Sequence, residues 1–271
     1  MPEGHVLHRL ARRIGEVFDG RTVQVSSPQG RFAESAALVD GSRLLGAEAW
    51  GKHLFIGFGA PTPTDVLHIH LGLIGKLRIA PTAPAVGQVR VRINDDRWAA
   101  DLHGPQLCRL ITPEQQALAT SKLGADPLRA DADPEQTWRR VHRSSRPVAA
   151  LLMDQSMFAG VGNIYRAEVL FRNRIDPHCP GSELHRDSFD AIWADLVALM
   201  ALGVRDGRID TVRPEHTPEA MGRPPRVDAH GGEVYVYRRE GQHCLVCGSL
   251  VRHEVLSGRQ LFWCGRCQRR H

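Results

Sequence analysis

The residues best suited to chemistry cluster in three places. Near the C-terminus, Cys244, Cys247, Cys264 and Cys267 form a C-x₂-C-x₁₆-C-x₂-C pattern. Four thiolates at this spacing match the tetrahedral ligand set of a single structural zinc ion, with no coordination position left open for catalysis. Gly248 and Gly265 suit tight turns at each pair, and EVLSGRQLFW between the pairs can fold as a hairpin holding Arg259 at its tip. The second place is the start, MPEGH. Proline at the first helical position with an acid beside it begins a helix well. Removal of Met1 would instead leave Pro2 with a free secondary amine next to Glu3. The third is MDQSMFAGVGNIYRAEVLF, residues 153–171. Its pattern predicts an apolar helix up to Phe158, stopped by Gly160 and Gly162 and restarted behind Asn163 as N-cap. A turn of that kind presents backbone N–H groups at a helix start, which suits a phosphate.

Charge supports a polyanionic partner. The chain of 271 residues carries a formal +5. Residues 136–174 hold seven Arg against Asp154 and Glu168, and residues 238–271 hold seven more against Glu240 and Glu254. Each stretch is locally +5, so the positive charge is concentrated. Arginine grips phosphates in bidentate fashion and releases their counterions. A solvated surface and an anionic lipid surface remain as other uses of such charge, though neither stretch has the pattern of a long amphipathic surface helix. No apolar run approaches the ~18 residues of a membrane span, and the start lacks a signal-peptide core. We expect a cytoplasmic protein, in which Cys108 and Cys179 are reduced packing residues.

The elements that must position these groups follow from periodicity. Residues 4–19 place Val6, Leu7, Leu10, Ala11, Ile14, Val17 and Phe18 on one helical stripe. From residue 21 to about 112, the runs TVQVSS, LLGAEAW, HLFIGF, DVLHIHL, QVRVRI and LCRLIT alternate with turn residues, the signature of an antiparallel sandwich or barrel. Residues 136–202 return to helical spacing, residues 205–232 read as a long mobile loop without regular structure, and EVYVYRREGQHC onward reads as short strands. We therefore expect an α+β multidomain chain. Its parts are an N-terminal helix with a β-sandwich (1–125), a helical domain (126–236) and a zinc-ribbon β-hairpin (237–271).

Taken together, the Pro-Glu start, GKHLF, HLGLIGKL, MDQSMFAGVGNIYRAE and GRQLFWCGRCQ resemble the Fpg/Nei DNA glycosylases over nearly the whole chain, in order. These are bacterial base-excision repair enzymes with a β-sandwich, a helix–two-turn–helix module and a zinc finger. PEGH is more similar to the Nei (endonuclease VIII) branch, particularly its actinobacterial members. The resemblance implies that Pro2 attacks C1′ of the damaged nucleotide, and that Glu3 protonates the opening sugar. It implies that Lys52 touches a phosphate and assists β-elimination, and that Asn163 and Arg259 clamp phosphates flanking the lesion. Arg259 is also implicated in δ-elimination, and His70 and Tyr237 match further phosphate-contact positions. The implied partner is double-stranded DNA with a damaged base or abasic site, bound by a monomer associated with the bacterial nucleoid. An α-amino group suits the chemistry, because its reference pKa of ~7.7–8.0 lies far below the ~10.4 of lysine.

The departures from the family pattern are informative. The Fpg branch carries Met in HLGM and an Arg-Phe pair on a later turn. This chain has Leu73 and Ile74 in HLGLIG, and DLHGPQLC at 101–108 where the pair is expected. Filling the gap left by a flipped nucleotide then falls to Leu73 and Ile74, with core packing as their other use. Loss of the pair favours oxidised pyrimidines over the oxidised purines of Fpg. A non-catalytic zinc-containing protein that binds damaged DNA is the second class. An enzyme using the terminal proline as a base on small molecules is the third, and it leaves the ribbon and the basic hairpin without a role.

Overall fold

The computed structural model describes residues 2–227 and 232–269. The chain divides into two compact units, residues 1–122 and 123–271. In the first, α1 (Gly4–Phe18) buries Leu7, Ala11, Ile14, Val17 and Phe18 while Arg9, Arg12 and Arg13 face solvent. Eight strands follow: β1 (Gln24–Ser26), β2 (Leu44–Trp50), β3 (His53–Phe58), β4 (Val66–His70), β5 (Lys76–Pro81), β6 (Val89–Asn94), β7 (Trp98–His103) and β8 (Leu107–Ile111). They form two antiparallel four-stranded sheets, ordered β1-β6-β7-β5 and β2-β3-β4-β8. The stripe of α1 shares one core with Leu54, Ile56, Phe58, Leu67 and Ile69 of one sheet and Val91, Ile93, Ala100 and Leu102 of the other. The expected sandwich is therefore present.

Four of its elements escape the sequence pattern, two short helices and two strands. α2 (Ala33–Val39) is short, and β5 and β7 are new strands. KLRIAP in β5 is exposed at alternate positions and carries two cations, and WAADLH in β7 mixes Ala with charge. Such edge and small-residue strands give a weak apolar signal, and pairing partners decide them. α3 (Pro113–Thr120) closes the unit, started by a capping box between Thr112 and Gln115.

The second unit contains α4 (Pro134–His142), α5 (Val148–Met153), α6 (Asn163–Arg172), α7 (Arg186–Asp206), α8 (Pro218–Met221) and the hairpin β9 (Arg252–Leu256) and β10 (Arg259–Trp263). One core joins the helices to Val234, Tyr235, Val236, Cys244, Leu261 and Cys264, so the zinc hairpin packs as part of this unit. Two expectations are corrected here. Residues 205–227 are not a structureless loop: α7 runs through Asp206, Ile209 and Thr211 are buried, and a 3₁₀ turn (Pro214–His216) precedes α8. The remainder of that expected loop includes residues 228–231, which lie outside the described residues. EVYVYRREG likewise forms no strand, although Val234–Tyr237 are buried. Its alternation is met by packing in an irregular segment whose backbone groups find side-chain partners instead of a ladder.

Candidate active site and nucleic-acid interface

In the first unit the expected site residues are carried by the start of α1 and by one rim of the sandwich. Glu3 is the N-cap residue of α1 and is fully buried, while Pro2 is half-buried before it. α1 packs on β2 and β3, the strands that Gly51 and Lys52 join in a two-residue turn. His53, the first residue of β3, pairs with His70, the last of β4, so Lys52 and His70 share one end of the sheet. Beyond His70 the chain crosses to the other sheet through Gly72–Gly75, where the Gly75 N–H donates to Leu71 O at 3.0 Å. It crosses back through Gly104–Gln106. Gly72 has φ +67 and lies so close to Gln106 that a Cβ would meet that side chain at 2.8 Å. Gly104 likewise lies beside Ile74. The two crossings are thus adjacent, and they thrust Leu73 and Ile74 outward at 63% and 80% exposure. Core packing, the other use considered for these two, is excluded by that exposure.

Beneath this rim His70 belongs to a histidine group whose other members, His53 and His68, motif reading did not single out. His53 Nδ1 and His68 Nε2 are 2.8 Å apart, His68 stacks on Phe55, and His53 meets His70 edge-on. Burial first, then His70 and Lys52, push His53 down to about 4. Burial first, then His53 and Arg109, push His68 down to about 3. Burial and Lys52 also lower His70, against a hydrogen bond with Gln106. A neutral His70 suits its task, because its Nδ1 accepts from the Gly72 N–H at 3.1 Å. The alternation of HIH in β4 was the available signal, since residues 68 and 70 must share one face.

In the second unit, α6 and the zinc hairpin form a single assembly. The Nδ2 of Asn163 donates to Gln260 O at 2.8 Å, and the Arg166 guanidinium donates to the same carbonyl at 2.7 Å. Arg166 also donates to Asn163 Oδ1. Gln260 follows Arg259, which is exposed at the start of β10 behind the Ser257–Gly258 turn. Both turn residues have positive φ, 49° and 72°, which suits the tight connection of a two-residue hairpin. Asn163 is therefore bonded to the residue that follows Arg259 in β10. Tyr237 is 4% exposed, with its ring edge-on to Phe262 and its N–H given to Glu168. Any contact with a ligand falls to the small part that remains exposed.

The hairpin's details differ from expectation. α5 ends at Met153, five residues before Phe158, and Gly162 is the N-cap residue of α6, with Asn163 as first helical residue. Asn163 gives its side chain to the zinc hairpin instead of to the helix start, which is why it does not cap. The turn is stapled by Gln155, whose Oε1 accepts from Gly160 N at 3.1 Å and whose Nε2 donates to Val161 O at 2.9 Å. Several of the seven arginines are structural as well. Arg166 is buried, Arg172 is paired with Asp195 at 2.7 Å, and Arg146 is paired with Asp154 at 2.8 Å.

The sulfurs of Cys244, Cys247, Cys264 and Cys267 all lie within 4.8 Å of one another. Cys247 and Cys264 are 3.4 Å apart and Cys244 and Cys267 3.8 Å, close to the ~3.8 Å edge of a tetrahedron with ~2.3 Å zinc–sulfur bonds. The two knuckles match: Gly248 N donates to Cys244 O and Gln268 N donates to Cys264 O, each at 3.0 Å. The centre holds a structural zinc ion, and its role is to fold the base of the hairpin that carries Arg259.

Comparison with known proteins agrees with this architecture. The formamidopyrimidine-DNA glycosylase N-terminal domain matches residues 1–106, and the formamidopyrimidine-DNA glycosylase H2TH domain matches residues 123–213. The zinc finger found in FPG and IleRS matches residues 241–270. Endonuclease 8 1 of Mycobacterium tuberculosis is 49% identical, covering 99% of this chain and 100% of its own. The formamidopyrimidine-DNA glycosylase of Syntrophotalea carbinolica is 31% identical over 99% of this chain and 100% of its own. The fold is also that of Lactococcus lactis Fpg in complex with abasic-site DNA, with TM-score 0.79 and 22% identity over 99% of this chain and 100% of that one. No helix among the described residues is long and apolar enough to cross a membrane. The chain belongs to the Fpg/Nei family of DNA glycosylases.

Proposed function

We propose that this chain is a bifunctional DNA glycosylase and AP lyase of the endonuclease VIII type, acting in base excision repair on double-stranded DNA that carries an oxidised pyrimidine or an abasic site. The observation that carries the proposal is the 49% identity to endonuclease 8 1 along the whole chain. With Met1 removed, the Pro2 amine attacks C1′, the bond to the base breaks, and the base leaves with a proton. Glu3 supplies a proton to the opening sugar oxygen. The resulting iminium draws electrons from C2′, so loss of a C2′ proton expels the 3′ phosphate, with Lys52 against a phosphate of the strand. Loss of the C4′ proton then expels the 5′ phosphate, a step assigned to Arg259. Hydrolysis of the iminium frees Pro2.

Asn163, Arg259 and His70 grip the backbone, with a smaller part for Tyr237, and Leu73 and Ile74 fill the gap left by the flipped nucleotide. The choice of pyrimidines rests on the β7–β8 crossing, Gly104–Gln106, where Gly-Pro-Gln stands and no Arg-Phe pair is present. We read 1–125 as the catalytic domain, 126–236 as the helical DNA-binding domain and 237–271 as the zinc finger, acting as a monomer in the bacterial cytoplasm.

Borohydride reduction of the processed protein on abasic or thymine-glycol duplex is expected to trap a covalent adduct through Pro2. Pro2→Gly should lose most of this adduct and keep its affinity for DNA. No adduct from protein lacking Met1 would sink the lyase assignment.

A further inference from the structure

A second cationic site lies in the second unit, away from the Asn163–Arg259 pair in sequence. Residues Arg223, Arg226, Arg238, Arg239, Glu233 and Gln242 line a cavity of about 360 Å³. At ~30 Å³ per water, that is room for about a dozen waters, in the range of small-ligand sites. Four arginines and a single carboxylate are among its lining residues. Burial would raise Glu233, but the Arg226 N–H and the Arg223 guanidinium outweigh it and hold the carboxyl below its ordinary range. It is therefore charged at neutral pH and offsets one cation, through a 2.6 Å contact with Arg223. Arg239 is fixed by donating to Tyr235 O at 2.7 Å, His243 O at 2.9 Å and Gln242 Oε1 at 3.1 Å. Burial, with Arg223 and Arg226 nearby, lowers its pKa. The Nε of Arg223 is buried without a hydrogen-bond partner among the described residues. Arg238 is exposed at the mouth, its guanidinium over the Tyr237 ring.

Arg239 is buried and Arg223 and Arg226 are half-buried, and like charges so placed, with an unmet donor among them, are costly to leave uncompensated. A multiply charged anion with acceptor oxygens would relieve both. We propose that this arginine-lined cavity binds a phosphate group, presented by a DNA strand beyond the phosphates gripped by Asn163 and Arg259. The assignment of DNA as the source rests on the proposed function; the phosphate site does not. Tetrahedral oxygens offer acceptors to several guanidinium forks in different directions at once, more than a chloride or a planar carboxylate presents.

The test uses the full zinc-loaded chain and pyrophosphate as probe. Calorimetric titration at low salt should show pyrophosphate binding that Arg238→Gln weakens about tenfold and that Glu233→Gln strengthens, while Arg205→Gln on the exposed end of α7 leaves it unchanged. The opposite signs guard against a variant that merely misfolds. In the second arm, binding to undamaged duplex is followed against salt. A slope lowered by about one in Arg238→Gln assigns the site to the DNA backbone, whereas an unchanged slope with pyrophosphate binding intact in the wild type assigns it to free polyphosphate. Equal pyrophosphate binding by wild type, Arg238→Gln and Arg205→Gln overturns the site. Borohydride trapping of the wild-type chain on abasic DNA tests the lyase reading by itself, so failure of the cavity and failure of the lyase reading are told apart.

Discussion

Two irregular segments, Leu71–Gly75 and Glu233–Arg239, are supported in opposite ways. The first closes on itself through Gly75 N–H to Leu71 O and leans on a neutral imidazole, His70, beneath Gly72. With its backbone satisfied locally, it holds Leu73 and Ile74 in solvent. The second buries Val234–Tyr237 and has no ladder, so side chains must replace one. Glu168, fully buried on α6, accepts the N–H groups of Tyr235, Val236 and Tyr237 at 2.7 to 2.9 Å and the Thr211 hydroxyl at 2.6 Å. On the carbonyl side, Arg239 takes Tyr235 O. A buried irregular segment thus needs acid and guanidinium partners, and its residues are committed to the fold. The exposed turn needs almost nothing from Leu73 and Ile74, which leaves them available to a ligand.

The largest effect should come from removing the buried support. Glu168→Ala leaves three buried N–H groups without an acceptor, each worth about 1–3 kcal/mol. Loss of roughly 3 kcal/mol or more is expected, or about 10 °C in Tm by scanning calorimetry. Glu168→Gln should not rescue, because each carboxylate oxygen already receives two donors and one would become an NH₂. A loss below about 1 kcal/mol would mean that the segment is held by packing, and the contrast would fail.

The same contrast explains what was legible beforehand. The zinc cysteines, the stripe of α1 and the six strongest strands follow from spacing that few other structures share. Glu168 did not stand out, because a lone acid in an apolar helix gives no sign that three distant amides converge on it. Val234–Tyr237 alternate like a strand, and only the absence of a pairing neighbour decides otherwise. Asn163 has the composition of a cap, yet a carbonyl on β10, nearly a hundred residues later, competes for its amide. Exposure of Leu73 and Ile74 was undecidable from HLGLIG, since the crossing between sheets sets it.

A smaller effect is expected from acid. His53 and His68 titrate in the fold at about 4 and about 3, below the ordinary value of 6.5, and His70 is also lowered. The unfolded chain therefore binds more protons between those values. Their contribution to stability is complete above pH ~6.5 and is lost as pH falls toward 4. Protonation also removes the acceptor beneath Gly72. The groups facing this stack are Lys52 from the β2–β3 turn, Arg109 from β8 and Gln106 from the neighbouring crossing. Replacing one partner, in His53→Gln, should flatten the fall in Tm between pH 6.5 and 4 relative to wild type. Parallel profiles for the two proteins would show that the turn does not depend on neutral imidazoles.

The smallest effect on stability is expected at the turn itself. Leu73→Ala and Ile74→Ala remove side chains that are mostly in solvent, so unfolding free energies should stay within about 0.5 kcal/mol of wild type. Function should not be spared. Burying each side chain in a base stack recovers about 1.5–3 kcal/mol of apolar transfer. The double variant should therefore cleave a lesion in duplex at least about tenfold more slowly, because the gap left by the flipped nucleotide stays unfilled. The same lesion in a single strand leaves no gap, so cleavage there should be nearly unchanged. Equal losses on both substrates would show that the two residues act on the strand itself, and the turn would then be committed to binding in the way that the buried segment is committed to folding.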